Sequence, residues 1–335
     1  MRRVTWLLIG IVALAISFLP SRPPSAAPYY EGKRIHIIVG FEPGGGYDRL
    51  ARLLAKHLPK HIPGKPLMIV ENMPGASSMI AANYLYNIAK PDGLTIGCFN
   101  QGIPFAQLQK AEGVNFDVLK FSWVGSAAAE ASVMTIRTDL PYKTFDDLRK
   151  AKEPIILGSA GPGTQTHQFP TLIKEFLGVN MKFVIYPSGT AITLAVERKE
   201  VDSQVAFYSS ILPVIERGLV RPLIRGRVSA PGIEHLPVDE DLTTDKRAKT
   251  IMAMRSATDQ VGRPYVAPPK TPAEIMKTLR DAFDSVAKDP ELKEEAKKVR
   301  MTVEYISSEE TLRVLNFLFS QPADIIQEFG KYIKF

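Results

Sequence analysis

The sequence is poor in the residues that carry most enzymatic and metal chemistry. Its 335 residues include one cysteine, Cys98, which forbids an intramolecular disulfide and any cysteine-based zinc site. Cys98 sits in an apolar run and reads as a small core residue. Only five histidines are present. His57 and His61 stand four apart, as helical metal ligands could, but Pro59 breaks the helix between them. His36, His167 and His235 show no ligand spacing, so no metal is expected. Gly-x-Ser-x-Gly, His-Glu-x-x-His and the P-loop are all missing. Ser285-Val-Ala-Lys288 lacks its companion motifs and reads as a solvated helix face. Gly161-Pro-Gly163 opens like a dinucleotide fingerprint, but Thr166 stands where the third glycine belongs, so no cofactor is expected. There is no long basic run with interleaved aromatics, which argues against a nucleic-acid partner. After residue 27 no apolar run is long enough to span a membrane.

What is there is ordinary for a globular protein: 45 % hydrophobic and 23 % charged residues. At roughly 150 residues per domain, the length suggests two domains. The first 27 residues stand apart. Met1-Arg2-Arg3 is basic, Val4 to Leu19 is uncharged and mostly apolar, and Ser25-Ala26-Ala27 supplies small residues for cleavage. This is the three-part pattern of a secretory signal, with an uncleaved anchor as the alternative. Cleavage would remove Arg2, Arg3 and Arg22 and lower the net charge from +7 to +4. The mature protein is expected to be exported, soluble and periplasmic.

Strand, loop and helix then alternate. The β-branched run at 34–40 and the short runs at 67–71, 94–99, 132–137, 155–158, 182–186 and 203–207 read as strands. Leu50, Leu53, Leu54 and Leu58 recur at helical spacing, and further helices are expected at 79–89, near 145, before Leu177 and at 192–198. Thr144 with Asp147 resembles a capping box. The alternation predicts α/β lobes built on parallel sheets: a first lobe of 33–132 completed by a mainly helical 256–335, and a second of 133–255.

Three strand-to-helix loops share one character. Phe41-Glu-Pro-Gly-Gly-Gly-Tyr-Asp48, Ser159-Ala-Gly-Pro-Gly-Thr-Gln-Thr166 and Pro187-Ser-Gly-Thr190 are rich in glycine, and most carry hydroxyls. Glycine lets backbone N–H groups approach a ligand, and the helix start behind them is electropositive. Such loops suit a carboxylate held without a permanent counter-charge. Tight turns and helix capping are the alternative use of the same residues. Asp48 is expected to cap the first helix, while Tyr47 could turn its ring or hydroxyl to a cleft. Aromatics near the first loop fit a larger or aromatic acid. Arg217, Arg221, Arg225 and Arg227 read as a solvated face or docking surface.

The same loops carry a family resemblance. Phe41-Glu-Pro-Gly-Gly-Gly-Tyr-Asp-Arg-Leu-Ala-Arg52, Val70-Glu-Asn-Met-Pro-Gly-Ala76, Pro91-Asp-Gly-Leu-Thr-Ile-Gly97 and Gly158-Ser-Ala-Gly-Pro-Gly-Thr164 resemble, in order, signatures of the substrate-binding proteins of tripartite tricarboxylate transporters, the Bug family. Tyr186-Pro-Ser-Gly-Thr190, Gly262-Arg-Pro-Tyr-Val-Ala-Pro-Pro-Lys-Thr-Pro272 and Lys288-Asp-Pro-Glu-Leu292 follow in the expected order. The resemblance implies a two-lobed periplasmic binding protein, type II-like, with a ligand cleft between the lobes. It implies a non-catalytic monomer that delivers a small carboxylate to transporter membrane subunits. Its ligand residues would be Phe41, Gly45, Gly46, Tyr47 and Asp48 from the first loop. Asn100 and Gln101 would follow the third strand. Ser159, Gly163, Thr164, His167, Ser188, Gly189, Thr190 and Phe207 would come from the second lobe, with the Thr164 hydroxyl donating to the carboxylate. Tyr47 replaces a frequent Thr or Ser, and Tyr-Ser-Ser210 after Phe207 departs from the pattern. The alternatives are a secreted enzyme acting on a carboxylate ester and a ligand-sensing partner of a membrane signalling protein.

Overall fold

The computed structural model describes residues 27–334; the expected export signal lies, but for its last residue, outside the described residues. Elements run in the order β1 (Arg34–Val39), α1 (Gly46–His57), β2 (Leu67–Asn72), α2 (Met79–Asn87), β3 (Thr95–Cys98), α3 (Ile103–Leu108), β4 (Ser122–Ser126), β5 (Ser132–Arg137), α4 (Phe145–Arg149), β6 (Ile155–Ser159), α5 (Gln165–Leu177), β7 (Met181–Ile185), α6 (Gly189–Glu197), β8 (Ser203–Phe207), α7 (Tyr208–Glu216) and β9 (Val220–Arg225). The chain continues through α8 (Lys246–Val261), β10 (Pro264–Ala267), α9 (Ala273–Lys288), α10 (Pro290–Lys298), β11 (Ile306–Ser307), α11 (Ser308–Phe319) and α12 (Ala323–Tyr332).

Two sheets result, one per lobe. The first has the order β11-β4-β10-β3-β1-β2 and the second β7-β6-β8-β5-β9. Only part of each is parallel. β2, β1 and β3 run together, as do β7, β6 and β8. β10 runs antiparallel to β3 and β4, β11 antiparallel to β4, and β5 antiparallel to β8 and β9. The sheets are therefore mixed, against the all-parallel expectation. A strand that arrives from the other lobe, or leaves for it, need not run with the βα units it joins.

Burial explains the elements. β1 buries Ile35, Ile37, Ile38 and Val39. Leu50, Leu53 and Leu54 of α1 and Leu279, Phe283 and Val286 of α9 pack in the same core. The Thr144–Asp147 capping box is present, with both reciprocal bonds. The core on the second sheet does not stop at the lobe boundary. It takes in Phe105 of α3, Leu318 of α11, and Ile325 and Phe329 of α12, beside Ile251 and Met252 of α8. The C-terminal helices thus serve both lobes, although their apolar faces were expected to pack on the first sheet. Around β5 and β8 a separate core holds Val133, Val201 and Ile211.

Two segments cross between the lobes side by side. One leads from β4 to β5, and the other from α8 to β10. The Ala127 N–H donates to the Arg263 carbonyl at 3.3 Å, and the Arg263 N–H to the Ala128 carbonyl at 3.2 Å. Gly262 sits at this crossing with φ +59°, and a Cβ there would lie 1.8 Å from the Ala128 carbonyl oxygen, so only glycine fits.

In the charge field of Arg255 and Asp259, Asp239 is fully buried and neither of its oxygens has a hydrogen-bond partner. Burial pushes its carboxyl up to about 7, with Arg255 pulling against and Asp259 adding to the rise. The folded chain thus keeps a proton that the unfolded chain releases near pH 4. The stability this group contributes is complete below that pH and is lost as pH rises through about 7. Urea unfolding of the wild type should show this loss between about pH 4 and 7. Asp239→Asn should remove the Asp239 share and gain stability at pH 8, on the order of a few kcal/mol. An identical pH slope in the variant would contradict the assignment.

Candidate functional site

Between the lobes lies a cleft of about 930 Å³, lined from both sides. Its shape follows from the sheets. The βα loops at the carboxyl ends of β1, β2, β6, β7 and β8 all open into it. Helix N-termini therefore meet there. α1 begins at Gly46 behind Gly45, which makes no side-chain cap. α5 begins behind Thr164 and α7 behind Phe207, again with no side-chain cap. At α6, Ser188 accepts from the Ala191 N–H at 3.2 Å, and its own proton stays available. The first N–H groups of a helix have no intrahelical acceptor, so the starts of α1, α5 and α6 present donors and positive potential, whereas at α7 the Tyr208 N–H already donates to the Ala131 carbonyl at 2.8 Å.

The loop between β2 and α2 adds a fifth rim. Gly75, Ala76, Ser77 and Ser78 have φ values of 125°, 44°, 52° and 79°, a run of left-handed residues three of which are not glycine. Such backbone is costly and persists where its surroundings enforce it. Here Ser78 Oγ donates to the Gly40 carbonyl at 2.9 Å and accepts from the Asn100 N–H at 3.2 Å.

Of the expected site residues, Phe41, Gly45, Gly46, Tyr47, Asn100, Thr164, Ser188, Gly189, Thr190 and Phe207 line the cleft. The others stand behind it. Asp48 does not cap α1. It accepts from the Gly44 N–H at 2.8 Å, from Arg52 at 3.0 Å and from Asn72 at 2.9 Å, tying the first loop to β2. Burial works against its charge, but these bonds hold its carboxyl below the usual range. Gln101 accepts from the Tyr47 hydroxyl at 3.0 Å and donates to Asp259 at 2.7 Å. Ser159 and His167 bond each other at 2.9 Å away from the cleft, and burial lowers the His167 pKa. The Gly163 carbonyl accepts from the Asn100 side chain at 2.9 Å, a direct bond between lobes. Thr164 reaches the cleft, but its hydroxyl donates to the Gly161 carbonyl at 2.7 Å. Its Oγ1 also lies 2.7 Å from Thr166 Oγ1, so in this structure the hydroxyl is held within its own loop.

Sequence reasoning missed Ser77, Ser210, Arg49, Glu42 and Glu197, which also line the cleft. Ser77 had a signal, because Pro-Gly followed by Ala-Ser-Ser has the composition of the loops that were singled out. Glu197 had none, being the last residue of a helix whose start was the visible feature. The basic stretch is consumed internally. Arg217 pairs with Glu197, Arg221 donates to the Thr138 carbonyl, and Arg227 pairs with Glu240.

Two buried arginines tie the lobes together at the cleft floor. Arg263 donates to the Gly46 carbonyl at 2.9 Å, Ser210 Oγ at 3.2 Å and Ser209 Oγ at 3.3 Å, and pairs with Glu130 at 2.7 Å. Gly46 must be glycine for this approach, since a Cβ would meet the guanidinium and Ser210 Oγ at 2.9 Å. Arg255 pairs with Asp259 at 2.7 Å and donates to Ser132 Oγ at 2.7 Å. Burial pushes both Glu130 and Asp259 up from the ordinary carboxylate range, against the pull of their arginines. Above this floor Phe41 stacks on Tyr47, centroids 4.4 Å apart, and Tyr47 lies 6.5 Å from Phe207.

A family model described as the tripartite tricarboxylate transporter family receptor matches residues 50–331. The chain belongs to that family. It is a family of transport receptors, and no helix among the described residues is long and apolar enough to cross a membrane. The receptor is 25 % identical over 327 residues to a UPF0065 protein of Bordetella pertussis, covering 94 % of this chain and 95 % of that one. It superposes on the periplasmic binding protein BugD with a TM-score of 0.72 at 21 % identity, covering 90 % of this chain and 99 % of that one. An R. palustris protein solved with adipate gives 0.70 at 20 % identity, covering 90 % and 97 %.

If Arg263 sets the floor of the receptor's cleft, removing it leaves Glu130 buried and unpaired. Arg263→Met should cost about 3–5 kcal/mol in urea unfolding. Adding Glu130→Gln should recover part of that loss. A cost below about 1 kcal/mol for the single variant would show that the pair does not organise the floor.

Proposed function

We propose that this receptor captures a small organic carboxylate between its lobes and hands it to the membrane subunits of a tripartite tricarboxylate transporter, without altering it. The observation that carries the reading is the meeting of four helix N-termini on one cleft, three of them without a side-chain cap. Fixed N–H donors and partial positive charge complement an anion. The carboxylate accepts from N–H groups at the starts of α1, α5 and α6, with the Ser188 and Ser210 hydroxyls as further donors. Ser210 has its oxygen held by Arg263, so its proton is free to point away from that partner.

Because donors come from both lobes, a bound anion favours the closed arrangement over the open one. In this reading the lobes close about the paired crossing segments, with α12, which packs in the core of the second sheet, moving with 133–255 and not with the first lobe. The receptor works as a monomer in the periplasm after loss of residues 1–27. The relative solved with adipate is in keeping with a carboxylate ligand.

Catalysis finds no support at the cleft. The Ser159–His167 pair resembles a nucleophile with its base, but Ser159 is fully buried and neither residue lines the cavity. A nucleophile needs access to its substrate.

The test compares a carboxylic acid with its methyl ester. Thermal shift across mono-, di- and tricarboxylates identifies binders; at 100 times Kd a ligand adds about 2.7 kcal/mol. The methyl ester at the bound carboxylate should lose at least tenfold in affinity, since charged acceptors make the stronger hydrogen bonds. Mass spectrometry should recover the acid unchanged after long incubation. An ester that binds equally well would contradict the anion reading, and protein-dependent conversion would contradict the receptor reading.

A further inference from the structure

The aromatic wall and the charge of the cleft narrow the ligand class. The Phe41 and Tyr47 rings are nearly parallel, with 24° between their planes, and Phe207 continues the surface from the second lobe. Phe41 is only half-buried, so the stack is open at that end. Arg263 lies 5.8 Å from the centres of both the Tyr47 and Phe207 rings, and its charge is spent on Glu130.

The charges offer one anion a place and a second none. Among the described residues lining the cleft, Arg49 is the cation, and its guanidinium donates to the Val299 carbonyl at 2.8 Å. Glu42 balances that cation formally, and Glu197 is paired with Arg217, so the wall has no surplus positive charge. Helix N-termini supply only about half a charge each, and their effect falls off within the first turn. A carboxylate at the loops is well served. A second one, reaching along the ligand, would find no surplus cation and would meet the electron-rich faces of aromatic rings. At about 930 Å³ the cleft is at the upper end of small-molecule sites, with room for a ring beyond the carboxylate.

We infer that the ligand is a monocarboxylate with an aromatic body, its carboxylate on the helix N-termini and its ring extending the Phe41–Tyr47 stack. This rests on the carboxylate-receptor reading and specifies it.

Calorimetry on the mature chain separates the two. The probes are phenylacetate and 3-phenylpropionate against succinate, adipate and citrate. The aryl acids should bind at least tenfold tighter than any of the di- or tricarboxylates. Phe41→Ala should weaken 3-phenylpropionate roughly three- to tenfold, as loss of an aromatic pair does, with Phe41→Leu intermediate and both melting near the wild type. Tighter binding of a di- or tricarboxylate would overturn this inference and leave the receptor reading standing. Aryl affinity unchanged in both Phe41 variants would likewise overturn it. Failure of every carboxylate to bind would overturn both.

Discussion

The constraint on which the rest depends is the polarity of the βα unit. A strand that feeds a helix brings the helix's unpaired N–H groups to the carboxyl edge of its sheet. In this chain both sheets turn that edge toward the same cleft, so the starts of α1, α5, α6 and α7 face one another across it. A site for an anion then needs no cation in its wall. The glycines of the first loop follow from the same constraint, because bare backbone gives the ligand its donors, and Gly46 also lets the Arg263 guanidinium and Ser210 come close.

Facing loops are useful only if the lobes hold register. That task falls on buried polar groups, because the cleft itself is open. Arg263 and Arg255 each join a group of one lobe to a group of the other, through Gly46 and Ser210 in one case and through Asp259, Gln101 and Ser132 in the second. Buried ion pairs bring little net stability and chiefly fix geometry, which fits pairs placed at a crossing. The shared core of α3, α8, α11 and α12 supplies the apolar part of the same connection. The lobes are thus joined by packing on one side and by directed bonds at the cleft floor.

Much of this was legible in the sequence, and the boundary of legibility has physical reasons. β5 was readable to the residue as a run carrying Val133, Thr135 and Ile136, and β8 as the short stretch ending in Val205-Ala-Phe207 after Asp202. The cleft loops were readable because glycine and hydroxyls cluster only where backbone must be exposed. What local pattern cannot carry is pairing between distant segments. β10 is four residues of Pro-Tyr-Val-Ala, a strand only because β3 and β4 flank it. Thr164 looked like a donor because residue type shows what a hydroxyl can do, not that Gly161 already takes its proton. Asp48, Gln101 and His167 were expected in the site from the family resemblance, yet a residue one or two positions along a strand or helix start points behind the cleft.

The central claim is that the free N–H groups at helix starts from both lobes hold the anion. Two-dimensional ¹H–¹⁵N NMR of the mature receptor, titrated with the acid selected by thermal shift, tests it most directly. The account predicts that the amides of Gly46, Tyr47, Gln165, Thr166, Gly189 and Thr190 move downfield together and gain protection from hydrogen exchange, in both lobes and at one saturating ratio. Shifts confined to one lobe, or centred on Arg49 and the arginines of 217–227 while these six amides stay still, would contradict it.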